Sequence, residues 1–347
     1  MIKKKLETQI HYMLMNNLEV SMTGFNLTNK YLISWREKQM SKPISILGIF
    51  VADLTFRTDR MPLKGETFIG NSFKLGPGGK GSNQAVATRR AGADTIFITK
   101  IGKDTFGEMA MKLYADEGIN AEYVWEIPDM ATGAASIVVN EETSDNVIIV
   151  VPGAADAMVP DDLDAAEAGI AKCAFFLASL EVPIPVMQRG LEVAKRNGVP
   201  TILNPAPAAT LPDDVYGLTD YFTPNETEAA MLAGIPVESV DDAQKAAKIF
   251  LERGVKTAVI TLGELGVYVR NSEISQHVPA FDMGENVIET TGAGDAFNGG
   301  FAHALAEGMP LLEAVRFGSA TAAISVTRLG TAPSMPFNNE ILDLLNK

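Results

Sequence analysis

The chain has 347 residues, 46% of them apolar and 21% charged, and a net charge of −14 at neutral pH. That is apolar material enough for one large α/β domain or two modest ones, and the acidic balance speaks against nucleic acid as a partner. One cysteine, Cys173, excludes an intrachain disulfide framework and fits a reducing cytoplasm, while no apolar run reaches the ~18–20 residues of a membrane span, so no membrane partner is expected.

Residues 1–42 differ from the rest of the chain. Up to Met40 they carry six Lys and Arg against three Asp and Glu, a net of +3, leaving −17 for the remainder. Lys3-Lys4-Lys5 is like the basic start of a signal peptide, but Glu7, Gln9 and His11 interrupt the next stretch and no small-residue cleavage site comes after it. The segment reads as an N-terminal extension outside the fold, with Met40 as an alternative start and residues 43–347 as the folded domain.

The domain begins with Ile44-Ser-Ile-Leu-Gly-Ile-Phe-Val51, a short continuous apolar run of buried-strand type. It ends at Ala52-Asp53, and the carboxyl end of a first parallel strand is where α/β sheets place ligand contacts. Residues 54–75 alternate polar and apolar, as in Glu66-Thr-Phe-Ile-Gly70 and Ser72-Phe-Lys-Leu75. Together with the strand-rich residues 121–151 they predict a half-exposed antiparallel flap beside the main sheet.

Between these pieces lies Gly76-Pro-Gly-Gly-Lys-Gly-Ser-Asn83, opening a helix from Gln84 to Ala91. Gly76, Gly78 and Gly81 satisfy G-x-G-x-x-G, yet the match does not follow the first core strand and no acidic residue closes a second strand at the right distance, so a dinucleotide site is not indicated. It is not a P-loop either, because Gly81 rather than Ser or Thr follows Lys80. What remains is a glycine loop that lets a ligand approach the backbone, with Lys80 and Asn83 as polar contacts, or else a turn with a solvated lysine.

From residue 94 strands and helices alternate: a strand from Asp94, a helix 104–117, a helix 160–171, a strand 173–180, a helix 184–197 and a strand 201–203. This spacing predicts a doubly wound, mainly parallel sheet flanked by helices, with a small β-sheet lid (from about 54–75 and 121–151). Glu181 follows its strand to the same carboxyl edge as Asp53. Asn225 and Thr227, in Thr223-Pro-Asn-Glu-Thr-Glu228, are plausible helix N-caps. The strand 257–262 runs into Gly263-Glu-Leu-Gly266, a tight turn able to sit against a nucleotide.

The most informative stretch is Glu289-Thr-Thr-Gly-Ala-Gly-Asp-Ala-Phe-Asn-Gly-Gly300. Small residues Gly292, Ala293 and Gly294 at a helix start leave amides free to bind an anion. An acid immediately after them, Asp295, is awkward for a loop that only grips phosphate. It makes sense as a base that takes the proton of an attacking hydroxyl, or more plainly as an acid in an ordinary first helical turn. Beyond it lie a long apolar helix over 311–327 and the loop Arg328-Leu-Gly-Thr-Ala-Pro-Ser334.

The segments 76–83 and 290–299 together resemble the two signature regions of the ribokinase-like (PfkB) carbohydrate kinase family. The resemblance continues through Ala52-Asp53, Leu180-Glu181, Asn204-Pro-Ala-Pro207, 223–228, Thr261-Leu-Gly263 and Val326-Thr-Arg328, spanning roughly 43–345. It implies an ATP-dependent sugar kinase acting on the primary hydroxyl of a pentose, D-ribose giving D-ribose 5-phosphate. Alternatives on the same fold are 2-deoxyribose, another sugar, a nucleoside, or a non-catalytic sugar or nucleotide sensor. It implies Asp295 as base and Gly292, Ala293 and Gly294 as anion hole. Asp53, Gly79, Lys80, Asn83 and Glu181 would hold the sugar, and Asn225, Thr261, Gly263, Gly266, Gly294 and Ser319 would line the ATP site. Glu289, Thr291, Ser325, Arg328, Gly330 and Ser334 match a potassium-type cation site, with Mg²⁺ arriving on the ATP phosphates. A homodimer built through the lids is also implied. Two positions depart from the pattern: Val51 stands where ribose-phosphorylating members usually carry Asn, and Glu289 where they carry Asp.

Overall fold

A computed structural model describes residues 42–143 and 145–347; apart from Lys42, the extension expected over 1–42 lies outside the described residues. The strands are β1 (Ile44–Leu47), β2 (Val51–Thr58), β3 (Ser72–Gly78), β4 (Thr95–Gly102), β5 (Asn120–Ile127), β6 (Thr132–Asn140), β7 (Asn146–Gly153), β8 (Phe175–Ser179), β9 (Thr201–Asn204), β10 (Tyr221–Phe222), β11 (Thr257–Thr261), β12 (Val267–Arg270) and β13 (Ser275–Val278). The helices are α1 (Lys80–Ala91), α2 (Thr105–Glu117), α3 (Pro160–Ala165), α4 (Glu167–Ile170), α5 (Ile184–Arg196), α6 (Asp213–Gly217), α7 (Glu226–Ala233), α8 (Val240–Glu252), α9 (Ala293–Ala306), α10 (Leu311–Ser325) and α11 (Asn338–Leu345).

Nine strands form the main sheet in the order β13-β12-β11-β10-β9-β8-β1-β4-β5, parallel from β11 to β5 and antiparallel at β12 and β13. The apolar runs explain it. Leu47, Ile98, Phe176 and Leu203 are buried on one face, and Ile46, Phe97, Leu177 and Ile202 on the other. A strand apolar on both sides is stable only between two helical layers. From β1 the chain winds outward through β4 and β5, then returns to β8 on the other side and proceeds to β11. The order therefore reverses between β1 and β8, and a crevice opens at their carboxyl ends.

Four strands make the smaller sheet, in the order β3-β2-β6-β7. Several expectations are corrected here. The apolar run 44–51 is not one strand ending at Asp53: β1 stops at Leu47, and Val51 opens β2, which carries Asp53 in the small sheet. Residues 120–127, placed in the flap by their alternation, pair with β4 as the edge of the main sheet; an edge strand is half-exposed and alternates for that reason alone. The small sheet is also not wholly antiparallel, because β2 and β6 run parallel, and Glu66–Gly70 is not a strand. Helix 160–171 is broken at Ala166 into α3 and α4. Helix ends follow local chemistry elsewhere: the Asp104 carboxylate accepts the Gly107 amide at 2.8 Å to cap α2, and Gly118, at φ +67°, ends it.

Candidate active site

The crevice at the carboxyl ends of β1 and β8 receives the start of α1. The approach is close: a Cβ on Gly81 would lie 2.5 Å from the Gly48 Cα, and one on Gly79, at φ +90°, would lie 2.4 Å from the Ile49 carbonyl oxygen. Only glycine allows this contact, so the glycine loop seats the first turn of α1 against the end of β1. The Gly81 amide donates to Glu181 Oε2 at 3.2 Å, joining that turn to the residue beyond β8. Asp53 is held on β2, where a Cβ on Gly78 would fall 2.2 Å from its carboxylate and Thr331 Oγ1 donates to its Oδ2 at 3.5 Å.

Asp295 enters the same space from the first turn of α9. It is 5% exposed; Asn83 Nδ2 donates to its Oδ2 at 2.9 Å and Gln84 Nε2 to its Oδ1 at 3.3 Å. Burial raises the carboxyl's pKa, opposed by Lys80 and by the two amide donors. Lys80, in turn, is held above its usual value chiefly by Asp295, with Glu181 adding to it. Burial and the Asp295 charge push Glu181 up to about 7. Burial raises Asp53 to about 6, against the Thr331 hydrogen bond and with help from Asp295 and Glu289. Asp295 is thus the common neighbour of Glu181, Asp53 and Lys80, and such an arrangement marks a functional site more often than a structural one.

In front of Asp295, Gly292 takes φ +84° and caps α9. The Ala293 amide donates to the Thr290 carbonyl at 3.1 Å and that of Ala296 to Gly292 at 2.9 Å. The amides of Gly292, Gly294 and Asp295 meet no acceptor among the described residues. Of the expected anion hole, Gly292 and Gly294 are thus free to donate, and the Ala293 amide is engaged internally.

On the other side, Asn225 caps α7 in a reciprocal box with Glu228, and Thr227 does not cap. The Thr261 amide donates to the Pro224 carbonyl at 3.0 Å, and a Cβ on Gly263 would lie 3.3 Å from Glu226 Oε1. The Leu262 amide donates to the Gly266 carbonyl at 2.8 Å. Asn225, Thr261, Gly263 and Gly266 therefore gather into one group. Ser319 is buried on α10; its hydroxyl has no partner among the described residues, and no hydrogen bond ties it to that group.

The cation-site residues are brought together in part. Glu289 Oε2 accepts the Gly330 amide at 2.9 Å, and Ser334 Oγ donates to the Thr331 carbonyl at 2.7 Å. Glu289, Thr291 and Gly330 line a cleft of about 320 Å³ that faces Asp53 and Ile137 of the small sheet. Arg328 turns its guanidinium to Glu340, and Ser325 Oγ donates to the Ala322 carbonyl within its own helix. Among the described residues no group of three or more His, Cys, Asp or Glu could hold a metal ion. One carboxylate among hydroxyls and carbonyls is a hard-oxygen set suited to a cation of low charge.

Sequence reasoning missed Gln84, Thr331 and Asn298. Gln84 leads from the polar Ser82-Asn83 into Ala85-Val-Ala87, and Asn298 lies between Phe297 and Gly299-Gly300; an amide in a position that buries it was the available signal.

Residues 41–338 match the pfkB family carbohydrate kinase pattern. A ribokinase of Haemophilus influenzae is 40% identical over 306 residues, covering 88% of this chain and 99% of that protein. A deoxyribokinase of Salmonella typhi is 37% identical over 294 residues, covering 84% and 95%. The solved structure of Arabidopsis thaliana ribokinase complexed with ribose and ATP matches with a TM-score of 0.80 at 31% identity, covering 89% of this chain and 100% of that one. The fold is ribokinase-like, and the chain belongs to the pfkB family of carbohydrate kinases and is a sugar kinase.

Proposed function

We propose that the protein transfers the γ-phosphoryl group of ATP to the primary hydroxyl of a pentose, D-ribose giving D-ribose 5-phosphate. The observation that carries the reading is the Asp295 carboxylate, buried beside the free Gly292 and Gly294 amides and coupled to Lys80, Glu181 and Asp53. Asp53, Gly79, Lys80, Asn83 and Glu181 would hold the sugar hydroxyls. Asp295 would take the proton as the hydroxyl oxygen bonds to phosphorus, while the bond from phosphorus to the ADP oxygen breaks. The Gly292 and Gly294 amides, with the dipole of α9, would carry the charge on the moving phosphoryl group; one such donor is typically worth ~100–1,000-fold in rate. Asn225, the turn Thr261–Gly266 and Ser319 would receive the nucleotide, and Mg²⁺ would come with its phosphates. A potassium ion at Glu289, Thr291, Gly330 and Ser334, with Ser325 and Arg328 contributing backbone oxygens, would offset negative charge next to the anion hole.

A second substrate, 2-deoxyribose, is favoured by one observation. Val51 is 3% exposed, packs beside Gly133 and carries no hydrogen-bonding atom where an Asn would address a hydroxyl. The deoxyribokinase relative fits the same reading.

The small sheet would serve as the lid over the sugar and exclude water as a competing acceptor. Along β7, Val147, Ile149 and Val151 are exposed on one face and Ile148 and Val150 on the other, the face that carries Ile148 into the cleft, and Phe73 on β3 is also exposed. Such a patch supports pairing of two lids in a homodimer. No described helix is long and apolar enough to cross a membrane, and a cytoplasmic enzyme with its folded domain over 43–347 and an extension over 1–42 is the matching reading.

Incubation with ATP and, in turn, D-ribose, 2-deoxy-D-ribose and a panel of nucleosides, followed by ³¹P NMR of the products, tests this. A pentose 5-phosphate is expected. Turnover confined to nucleosides, or none with any acceptor, would overturn it.

A further inference from the structure

The amide of Gln84 has two hydrogens, and both are committed. One is donated to Asp295 Oδ1 at 3.3 Å and the other to Asn204 Oδ1 at 3.0 Å. Asn204 cannot turn round to release it, because its own Nδ2 donates to the Thr223 carbonyl at 3.1 Å. Thr223 Oγ1 donates to Asn298 Oδ1 at 2.6 Å, and Asn298 Nδ2 donates to the Gly294 carbonyl at 2.8 Å. The path that leaves the Asp295 side chain thus returns to the backbone one residue before it. Each of these side chains is buried. In the interior a released donor would go unpaired, so each bond keeps the next from slipping.

Gln84 also bears a feature that mere space-filling does not explain. Its Oε1 is buried with no partner among the described residues. An apolar residue of similar length would avoid that penalty, so the donor end must be what the position requires.

We propose that Gln84, clamped by Asn204, is a positioning residue that fixes the rotation of the Asp295 carboxylate so that Oδ2, the oxygen on the Asn83 side, faces the reacting hydroxyl. The proposal rests on the kinase reading above. Both oxygens accept an amide, Oδ2 that of Asn83 at 2.9 Å and Oδ1 that of Gln84 at 3.3 Å; Asn83 lies among the residues assigned to the sugar, so the Oδ2 side is the one turned to the acceptor, and Gln84 holds the opposite oxygen away from it. Both amide donors also favour the ionised carboxylate, as does Lys80 on α1. Glu181 beyond β8, Asp53 on β2 and Glu228 on α7 face the same group and act against ionisation.

The test is Gln84→Met, which keeps length and removes the donor. The kcat should fall ~10–100-fold, the size of a lost bond to a charged group, with the KM for sugar and for ATP little changed. The acidic limb of the kcat profile should move to higher pH. Asn204→Leu should lower kcat in the native background but add little in the Gln84→Met background, because the two act in series. Wild-type kcat and an unmoved limb in Gln84→Met, or independent losses in the double variant, would overturn the proposal. If Gln84→Met does not fold, Gln84→Glu occupies the same space and should move the limb further upward; an unmoved limb there is equally contrary. If the native protein phosphorylates no sugar, the kinase reading fails on its own. Carboxyl-carbon NMR of Asp295 still reads the contact: a higher pKa in Gln84→Met supports it, and an unchanged titration overturns it.

Discussion

Replacing Glu181 by Gln should stabilise the protein, and by an amount that depends on pH. The carboxyl rises from 4.5 to about 7 in the fold because it is buried and faces Asp295. Since the folded value lies above the unfolded one, protonation favours the fold; that advantage is complete below pH 4.5 and gone once the pH has passed 7. Ionised Glu181 therefore costs the native state roughly 3 kcal/mol above pH 8. Gln removes the charge and keeps an oxygen to accept the Gly81 amide. The attraction to Lys80 and the hydrogen bonds from the backbone amides are already contained in the rise to about 7, so their loss subtracts nothing further from this pH-dependent part. A gain of roughly 3 kcal/mol at pH 8.5, shrinking towards zero near pH 4, is expected. Urea unfolding of both proteins across this range measures it. A gain that is the same at both ends, or a loss at pH 8.5, would show that Glu181 is not held against its preference and would remove the electrostatic basis for the sugar site.

Three further outcomes rest on particular side chains. His303 is 5% exposed at the end of α9, and burial lowers its pKa, with Glu307 opposing. The native protein should therefore lose stability relative to His303→Leu as the pH falls below 6.5, and parallel behaviour of the two between pH 7 and 5 would be contrary. Gly81→Ala brings a Cβ within 2.5 Å of the Gly48 Cα, backbone against backbone. A loss of at least about 2 kcal/mol in urea unfolding is expected, and native stability would be contrary. Val51→Asn should raise the ratio of kcat/KM for ribose over 2-deoxyribose by about 10–100-fold, read by steady-state assay with both sugars; an unchanged ratio would separate this position from the sugar.

Much of the site is legible in the sequence because its chemistry is local. Gly292 to Asp295 form one contiguous turn, and Glu181 follows its apolar strand to the sheet edge as expected; Asp53 does not end β1 but lies on β2 of the small sheet, because the apolar run 44–51 is divided between the two sheets. The support for that turn is not local. Gln84 meets Asp295 across 211 positions and Asn204 across 120, and no periodicity encodes such a meeting. Strand β5 was misplaced for a different reason: alternation reports one wet face, and an edge strand of the main sheet has one just as a flap does. The parallel pairing of β2 with β6 was equally hidden, because it depends on the path through β4, α2 and β5 between them.

The most direct measurement is turnover of Asp295→Asn with ATP and a pentose, alongside its nucleotide affinity by calorimetry. The account predicts a fall in kcat of about 100–10,000-fold, the usual contribution of a general base, with nucleotide binding nearly intact. Undiminished turnover in that variant would contradict it.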